Sequence, residues 1–365
     1  LLSRRQRQMC IRDRIREKAM EALKYLVSLV NDVLDMNKLQ SGDLKDQQLL
    51  FDLTMVLREL NQIYDERAAK KGIRYEIDWK STYSHSTLVG NPVYLGRILS
   101  NIMDNAIKFS QAGSVLTVWV KEETLDDDRA NFTFYCKDQG VGMSEDFIAH
   151  AFDMFSQESE TSRSRYEGTG LGLAITKQLV DRMDGSIELK SKAGVGTTVI
   201  VKIPFKIGTQ DKNSNLSDKP VSLDDYSVEG MRALVVEDNE LNMEISRCIL
   251  EDSGMEVTCA VDGQEAVEIF KKSAPDYFGV IYMDIMMPRM NGLDAARTIR
   301  EMKRKDARRV PIIAMSANAF AEDIINSRLA GMNVHLAKPL DAEKMIIALK
   351  QCMADNSDVK LHEDL

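Results

Sequence analysis

Ala233-Leu234-Val235-Val236-Glu237-Asp238-Asn239 is a short apolar run that ends abruptly in two acids. The figure returns at Val280-Ile281-Tyr282-Met283-Asp284 and at Ile312-Ile313-Ala314-Met315-Ser316, and a further strand is expected to end at Lys338-Pro339. Runs this short do not make helices. They predict buried strands, and the helix-type segments between them predict a doubly wound parallel sheet over residues 231–354. In such a sheet ligands sit beyond the carboxyl ends of the strands near the switch point, so Glu237, Asp238 and Asp284 should converge. Three clustered carboxylates repel one another unless a cation lies among them, and magnesium is the natural one. Ser316 and Lys338 add a hydroxyl and an ammonium, completing a set that can hold a phosphoryl group on a carboxylate. Any one of these acids alone reads as a loop or cap residue; the full set is far more specific.

Upstream, residues 206–230 are rich in Gly, Asn, Ser, Asp and Pro and read as a linker. Residues 50–205 alternate helical and strand-like patterns, with a helix expected at 95–109, a strand at 131–137, a helix at 174–183 and a strand at 197–203 ending at Pro204. Asn101, Asn105 and Lys108 fall at i, i+4 and i+7 on one helical face, opposite Ile98, Ile102, Ala106 and Phe109. Two amides and an ammonium on one face suit a magnesium–polyphosphate ligand. Asp138-Gln139-Gly140-Val141-Gly142 follows a strand directly; its carboxylate can accept from an exocyclic amine, and its glycines let backbone approach a ring. Gly168-Thr169-Gly170-Leu171-Gly172-Leu173 runs straight into a helix and presents backbone N–H groups to phosphate. Gly194-Val195-Gly196-Thr197 makes a tight turn into the last strand of this region.

A chain of 365 residues is too long for one typical core, and its 44% hydrophobic and 29% charged content is that of a globular protein. A net charge of −9 argues against a nucleic-acid surface as its main business. No stretch approaches eighteen consecutive apolar residues, and the five cysteines are scattered without a CxxC pair, which favours reduced thiols over a disulfide frame or a zinc site.

In this order and spacing, the blocks of residues 50–205 resemble the N, G1, F, G2 and G3 boxes of the histidine-kinase catalytic domain, with Phe152 and Phe155 in the F position. Asn37-Lys38-Leu39-Gln40-Ser41-Gly42 is similar to the end of that family's second dimerisation helix. The resemblance implies a mixed α/β sandwich that binds ATP and magnesium. By it, Asn105 ligates the metal, Asn101 and Lys108 face the phosphates, and Asp138 reads the adenine amine. Gly140, Gly142, Gly168, Thr169, Gly170, Leu171 and Gly172 shape the pocket and its lid, with Arg163 and Arg165 as lid contacts to phosphate. Val236-Glu237-Asp238-Asn239, Met283 to Pro288, Met315-Ser316-Ala317 and Ala337-Lys338-Pro339 likewise resemble a response-regulator receiver of flavodoxin-like fold. That resemblance makes Asp284 the phosphoacceptor. It gives magnesium to Asp238 and Asp284, with Glu237 in the same pocket and the Met286 carbonyl as a backbone ligand, and puts Ser316 and Lys338 on the phosphoryl group. Three residues before Lys338, where the family usually carries tyrosine or phenylalanine, stands His335.

Together the two regions resemble a bacterial hybrid sensor histidine kinase. This implies transfer of phosphate from ATP to histidine and then to Asp284, a homodimer through the dimerisation helices, and a histidine phosphotransfer protein or separate response regulator downstream. ATPases of the gyrase, chaperone and mismatch-repair type share the fold but place a glutamate, the general base for water, where this chain has Asn101. An amide cannot take that proton, which favours kinase over hydrolase. A non-catalytic nucleotide-binding module is the rival from another class.

Residues 1–14 resemble a translated sequencing adapter, and 15–42 carry a bundle-type stripe of Leu23, Leu26, Val30 and Val33. None of the four histidines has the setting of the family's phosphoacceptor, so the first dimerisation helix is expected to be missing. The given residues are then a cytoplasmic portion whose parent would reach a membrane only through the upstream region. Residues 355–365 read as a solvated tail.

Overall fold

The computed structural model describes residues 48–78, 83–126, 128–157, 169–208, 227–317 and 320–363, with side chains up to Met353. The adapter-like stretch, the helix expected at 15–42 and most of the linker lie outside the described residues. The chain divides into two compact units, Leu1–Asp211 and Lys212–Leu365.

In the first unit, β1 (Leu49–Asp52) leads into α1 (Leu53–Lys71), which the Asp52 carboxylate caps by accepting from the Thr54 N–H at 2.8 Å. β2 (Arg74–Asp78) and β3 (Thr87–Gly90) precede α2 (Pro92–Phe109). That helix begins three residues before the expected start, because Asn91 caps it through the Tyr94 N–H at 3.0 Å and Pro92 takes its first position. β4 (Val115–Thr124) and β5 (Arg129–Lys137) form a hairpin, followed by α3 (Glu145–Ile148), α4 (Gly172–Arg182), β6 (Ser186–Lys192) and β7 (Gly196–Ile207). The sheet runs β1-β3-β7-β5-β4-β2, with β6 also paired to β7.

Ile98, Ile102 and Ala106 of α2 are buried, as the periodicity predicts, and α2 packs on α1, α4 and β5. Each such Ile, taken from water, contributes about 1.5–3 kcal/mol. Phe132, Phe134 and Cys136 share the buried face of β5.

Pro204 does not end its strand. β7 continues to Ile207 and pairs Pro204 with Asn131 of β5. On its other side β7 meets β6 through residues 196–202 and β3 only at Lys206 and Ile207. The missing N–H of proline therefore falls in the gap between those two partners, where no ladder bond is lost.

The second unit holds β8 (Arg232–Val236), α5 (Glu240–Asp252), β9 (Glu256–Ala260), α6 (Gly263–Lys272), β10 (Val280–Asp284), α7 (Gly292–Arg300), α8 (Lys305–Arg309), β11 (Ile312–Ser316), α9 (Ala321–Leu329), β12 (Val334–Ala337) and α10 (Ala342–Glu363). All strands are parallel, in the order β12-β11-β10-β8-β9. Side chains alternate into two cores: Leu234, Val236, Ile281 and Met283 on one face, Ala233, Val235, Val280 and Tyr282 on the other. The chain leaves β8 for β9 on one side and comes back to β10 on the other, so the switch point lies between β8 and β10. α10 runs on to Glu363 through the stretch expected as a tail; residues 342–363 contain neither Gly nor Pro to stop it.

Candidate functional site

At the switch point of the second unit, Glu237 follows β8 and Asp284 ends β10; both are buried, while Asp238 is exposed. One carboxylate oxygen from each of the three lies within 4.8 Å of the others, a donor set of hard oxygens that fits a divalent cation. Lys338, just past β12, reaches in so that its Nζ donates at 2.6 Å to both Glu237 Oε2 and Asp284 Oδ2. Burial pushes the Lys338 ammonium toward losing its proton, but the two carboxylates outweigh that and its pKa is raised. The other oxygen of Glu237 accepts from Asn242 Nδ2 at 2.9 Å. Met286 is highly exposed, and its N–H reaches Asp284 Oδ1 at 3.3 Å. The buried Ser316 hydroxyl lies 2.7 Å from His335 Nε2.

In the first unit, Asp138 is buried immediately after β5, and its Oδ1 accepts from the N–H groups of Gly140 at 2.8 Å and Thr197 at 3.1 Å. Both bonds fall on Oδ1, which leaves Oδ2 to meet a ligand. A Cβ at Gly140 would stand 2.7 Å from the Phe109 carbonyl, so only glycine lets this loop close on the end of α2. Asn101, Asn105 and Lys108 are half-buried on one face of α2. Asn101 Nδ2 donates to the Gly172 carbonyl at 3.3 Å and to Thr176 Oγ1 at 3.4 Å, tying α2 to the start of α4. Leu171, the N-cap residue of α4, makes no side-chain cap bond, and a helix N-terminus of this kind suits an anion. Gly170 holds φ +71° before that helix, and its carbonyl accepts from the Phe155 N–H at 3.0 Å. Thr169 Oγ1 accepts from the Leu171 N–H at 3.2 Å.

Residues 90–207 match the family described as histidine kinase-, DNA gyrase B- and HSP90-like ATPase, and residues 233–350 match the response regulator receiver domain. The chain has the two-domain make-up of a hybrid histidine kinase. The kinase-type ATPase domain takes ATP. The sensory/regulatory protein RpfC of Xanthomonas campestris pv. campestris is 30% identical over 347 residues, which are 89% of this chain and 47% of that protein. The autoinducer 2 sensor kinase/phosphatase LuxQ of Vibrio parahaemolyticus is 31% identical over 322 residues, 87% of this chain and 36% of LuxQ. The aerobic respiration control sensor protein ArcB of Escherichia coli is 29% identical over 330 residues, 89% of this chain and 40% of ArcB. The chain thus spans less than half the length of each of these relatives. Among the described residues no helix is long and apolar enough to cross a membrane.

The receiver brings Glu237, Asp238, Asp284 and Lys338 together. The kinase-type domain sets Asp138 and Gly140 beside the end of α2, and Gly170 and Gly172 at the start of α4. Gly142 holds φ +67° and packs against the Lys192 carbonyl. Arg163, Arg165 and Gly168 lie outside the described residues. Three partners had not been singled out from sequence: Asn242 behind Glu237, Ser327 behind His335, and Thr176 behind Asn101. A neighbour in space that is remote in sequence leaves no spacing to read; only Asn242, one turn into the helix that follows Glu237, stood close enough to be weighed.

Proposed function

We propose that this chain carries the ATP-binding and receiver steps of a phosphorelay, with Asp284 as the residue that accepts the phosphoryl group. The observation that carries the reading is the double contact of Lys338 with Glu237 and Asp284 at the sheet's switch point, with Asp238 beside them. Glu237, Asp238, Asp284 and the Met286 carbonyl would hold magnesium, which when bound offsets the charge shared by the acids and the incoming phosphoryl group. An oxygen of Asp284 forms the new bond to phosphorus as the donor histidine's N–P bond breaks, and the freed imidazole takes up a proton. Lys338, already 2.6 Å from Asp284, is placed to donate to the phosphoryl oxygens, and Ser316 is the second donor.

In the kinase-type domain Asp138 would accept from the adenine amine through Oδ2, Asn105 would contribute its amide oxygen to a second magnesium, and Asn101 and Lys108 would face the phosphates. The start of α4, with the backbone of Thr169, Gly170 and Gly172, would supply N–H donors to them. Arg163 and Arg165 would add cationic contacts to the phosphates. Positioning and charge neutralisation suffice for phosphoryl transfer to a side chain, whereas a hydrolase needs a base where Asn101 stands. RpfC, LuxQ and ArcB all carry sensory or sensor in their names, which supports a signalling role. A homodimer, a histidine donor and a downstream phosphotransfer protein or response regulator belong to it.

Acetyl phosphate tests the receiver half. With magnesium present, the chain should gain one base-labile acyl phosphate, located at Asp284 by mass spectrometry. Asp284→Asn should abolish it, because an amide is a poor nucleophile. Undiminished label mapped elsewhere in Asp284→Asn would sink the assignment. Radiolabelled ATP, supplied with a histidine-bearing dimerisation hairpin, tests the kinase half: labelled hairpin is expected, and nucleotide binding without any transfer would favour the non-catalytic module.

A further inference from the structure

Three side chains from three elements form a hydrogen-bonded chain behind the Lys338–Asp284 pocket. Ser316 ends β11, His335 lies in β12 and Ser327 in α9. His335 Nε2 is 2.7 Å from the Ser316 Oγ, and its Nδ1 is 3.2 Å from the Ser327 Oγ. The Ser327 hydroxyl also donates to the Ile324 carbonyl at 2.8 Å.

For a neutral imidazole these contacts assign the protons. A hydroxyl has one proton, and Ser327 spends its own on Ile324, so toward His335 it can only accept. The imidazole proton must then sit on Nδ1. A neutral imidazole carries a single N–H, so Nε2 is bare and accepts, and the one proton of the Ser316 hydroxyl points at it. Ser316 and Ser327 are both buried, so water does not readily substitute for either partner. Ser316 follows Met315, whose cross-strand partner is Asp284, which puts its hydroxyl on the rim of the acidic pocket.

We propose that His335 is a positioning residue that holds the Ser316 hydroxyl proton away from Asp284, so that a phosphoryl group on Asp284 must compete with His335 Nε2 for that proton. This rests on the reading of Asp284 as the phosphoacceptor. Ser327 acts one step further out: by accepting from Nδ1 it selects the tautomer that makes His335 a competitor at all. When Ser316 turns to the phosphoryl group, His335 loses its partner on β11 and keeps the one on α9. Occupancy of the pocket is thereby reported to that helix through a change of hydrogen bonding.

The test uses the full chain with 15N-labelled histidine, at a pH well above the ordinary imidazole pKa of about 6.5. The probe is beryllofluoride with magnesium, a stable mimic of the phosphoryl group. Without the probe, the resonances that vanish in His335→Phe should show a protonated Nδ1 and a bare Nε2. Beryllofluoride should move that Nε2 resonance as Ser316 leaves. His335→Phe removes the competing acceptor, and Ser327→Ala releases the tautomer so that Nε2–H can donate to Ser316. Each should tighten beryllofluoride binding about two- to tenfold, the worth of one hydrogen bond. Both gains should disappear on a Ser316→Ala background. A protonated Nε2 in the unaltered chain, no gain in either variant, or a gain that survives Ser316→Ala would overturn the proposal while leaving Asp284 in place. Failure of the unaltered chain to bind beryllofluoride, or unchanged binding in Asp284→Asn, would overturn the receiver-site reading and this proposal with it. Should His335→Phe fold poorly, Ser327→Ala and the resonances of the unaltered chain still decide.

Discussion

At Asp138 burial and hydrogen bonding pull in opposite directions. Removal from water raises its carboxyl above the ordinary range, while the N–H groups of Gly140 and Thr197 draw it back down. A carboxylate so placed has one oxygen satisfied and one waiting for a donor. Adenine offers an amine there and guanine a carbonyl, so Asp138→Asn should weaken ATP binding by about 1–3 kcal/mol and narrow the preference for ATP over GTP, both read by calorimetry. Equal affinity for the two nucleotides in the unaltered chain would remove Asp138 from the base pocket. Asn101 is a different case. Its amide bridges to Gly172 and Thr176, so Asn101→Ala should disturb the approach of α4 to α2 as well as any contact with phosphate.

Between elements, α1 restrains α2 through several polar contacts. Tyr64 donates to the Ser100 carbonyl at 3.0 Å, Arg67 pairs with Asp104 at 2.6 Å, and Lys71 Nζ donates to the carbonyls of Ile107 and Lys108 at 2.6 and 2.8 Å. The Arg67–Asp104 pair is about half exposed and should matter little, within about 0–1 kcal/mol. Lys71 caps carbonyls that the helix itself cannot satisfy, beside the Lys108 side chain read as phosphate-facing. Lys71→Ala should therefore cost more stability than Arg67→Ala and weaken nucleotide binding several-fold, with thermal denaturation and calorimetry as the two measures.

In the receiver, Arg304 holds both oxygens of Asp306 at 2.7 and 2.6 Å ahead of β11, and keeps its carboxyl down at about 2. A carboxyl with a lowered folded-state pKa adds stability above its unfolded value and loses it as the pH falls through the folded one. Asp306→Asn should thus cost about 2 kcal/mol at neutral pH, and the difference from the unaltered chain should shrink as the pH drops from about 4 toward 2 in denaturant titrations.

How far such elements could be read beforehand depended on what each one is made of. The buried parallel strands announced themselves because apolar runs ending at Asp284 and Ser316 leave no other reading, and the amphipathic face of α2 was legible from its period. The end of β7 was not, because proline breaks strands only where its N–H is needed, and that depends on a neighbour from elsewhere in the chain. The partners of His335 and Asn101 were hidden for the same reason.

On the scale of the whole molecule, two units with separate cores should answer to separate ligands. A ligand held only by the folded form stabilises it by about 2.7 kcal/mol at a hundred times its dissociation constant. ADP with magnesium should therefore raise one calorimetric transition, and beryllofluoride with magnesium the other. A single transition moved equally by both would show that the units unfold together. The receiver's strand order has one further consequence, for the chain as it leaves the ribosome. β8 stands beside β10 in the sheet, yet roughly forty residues of α5, β9 and α6 separate them in sequence. At synthesis rates of about 5–20 residues per second, the apolar edge of β8 waits about 2–9 s for its neighbour. During that interval it is a sticky strand without a home, and a chaperone that shields nascent chains would find a client segment there.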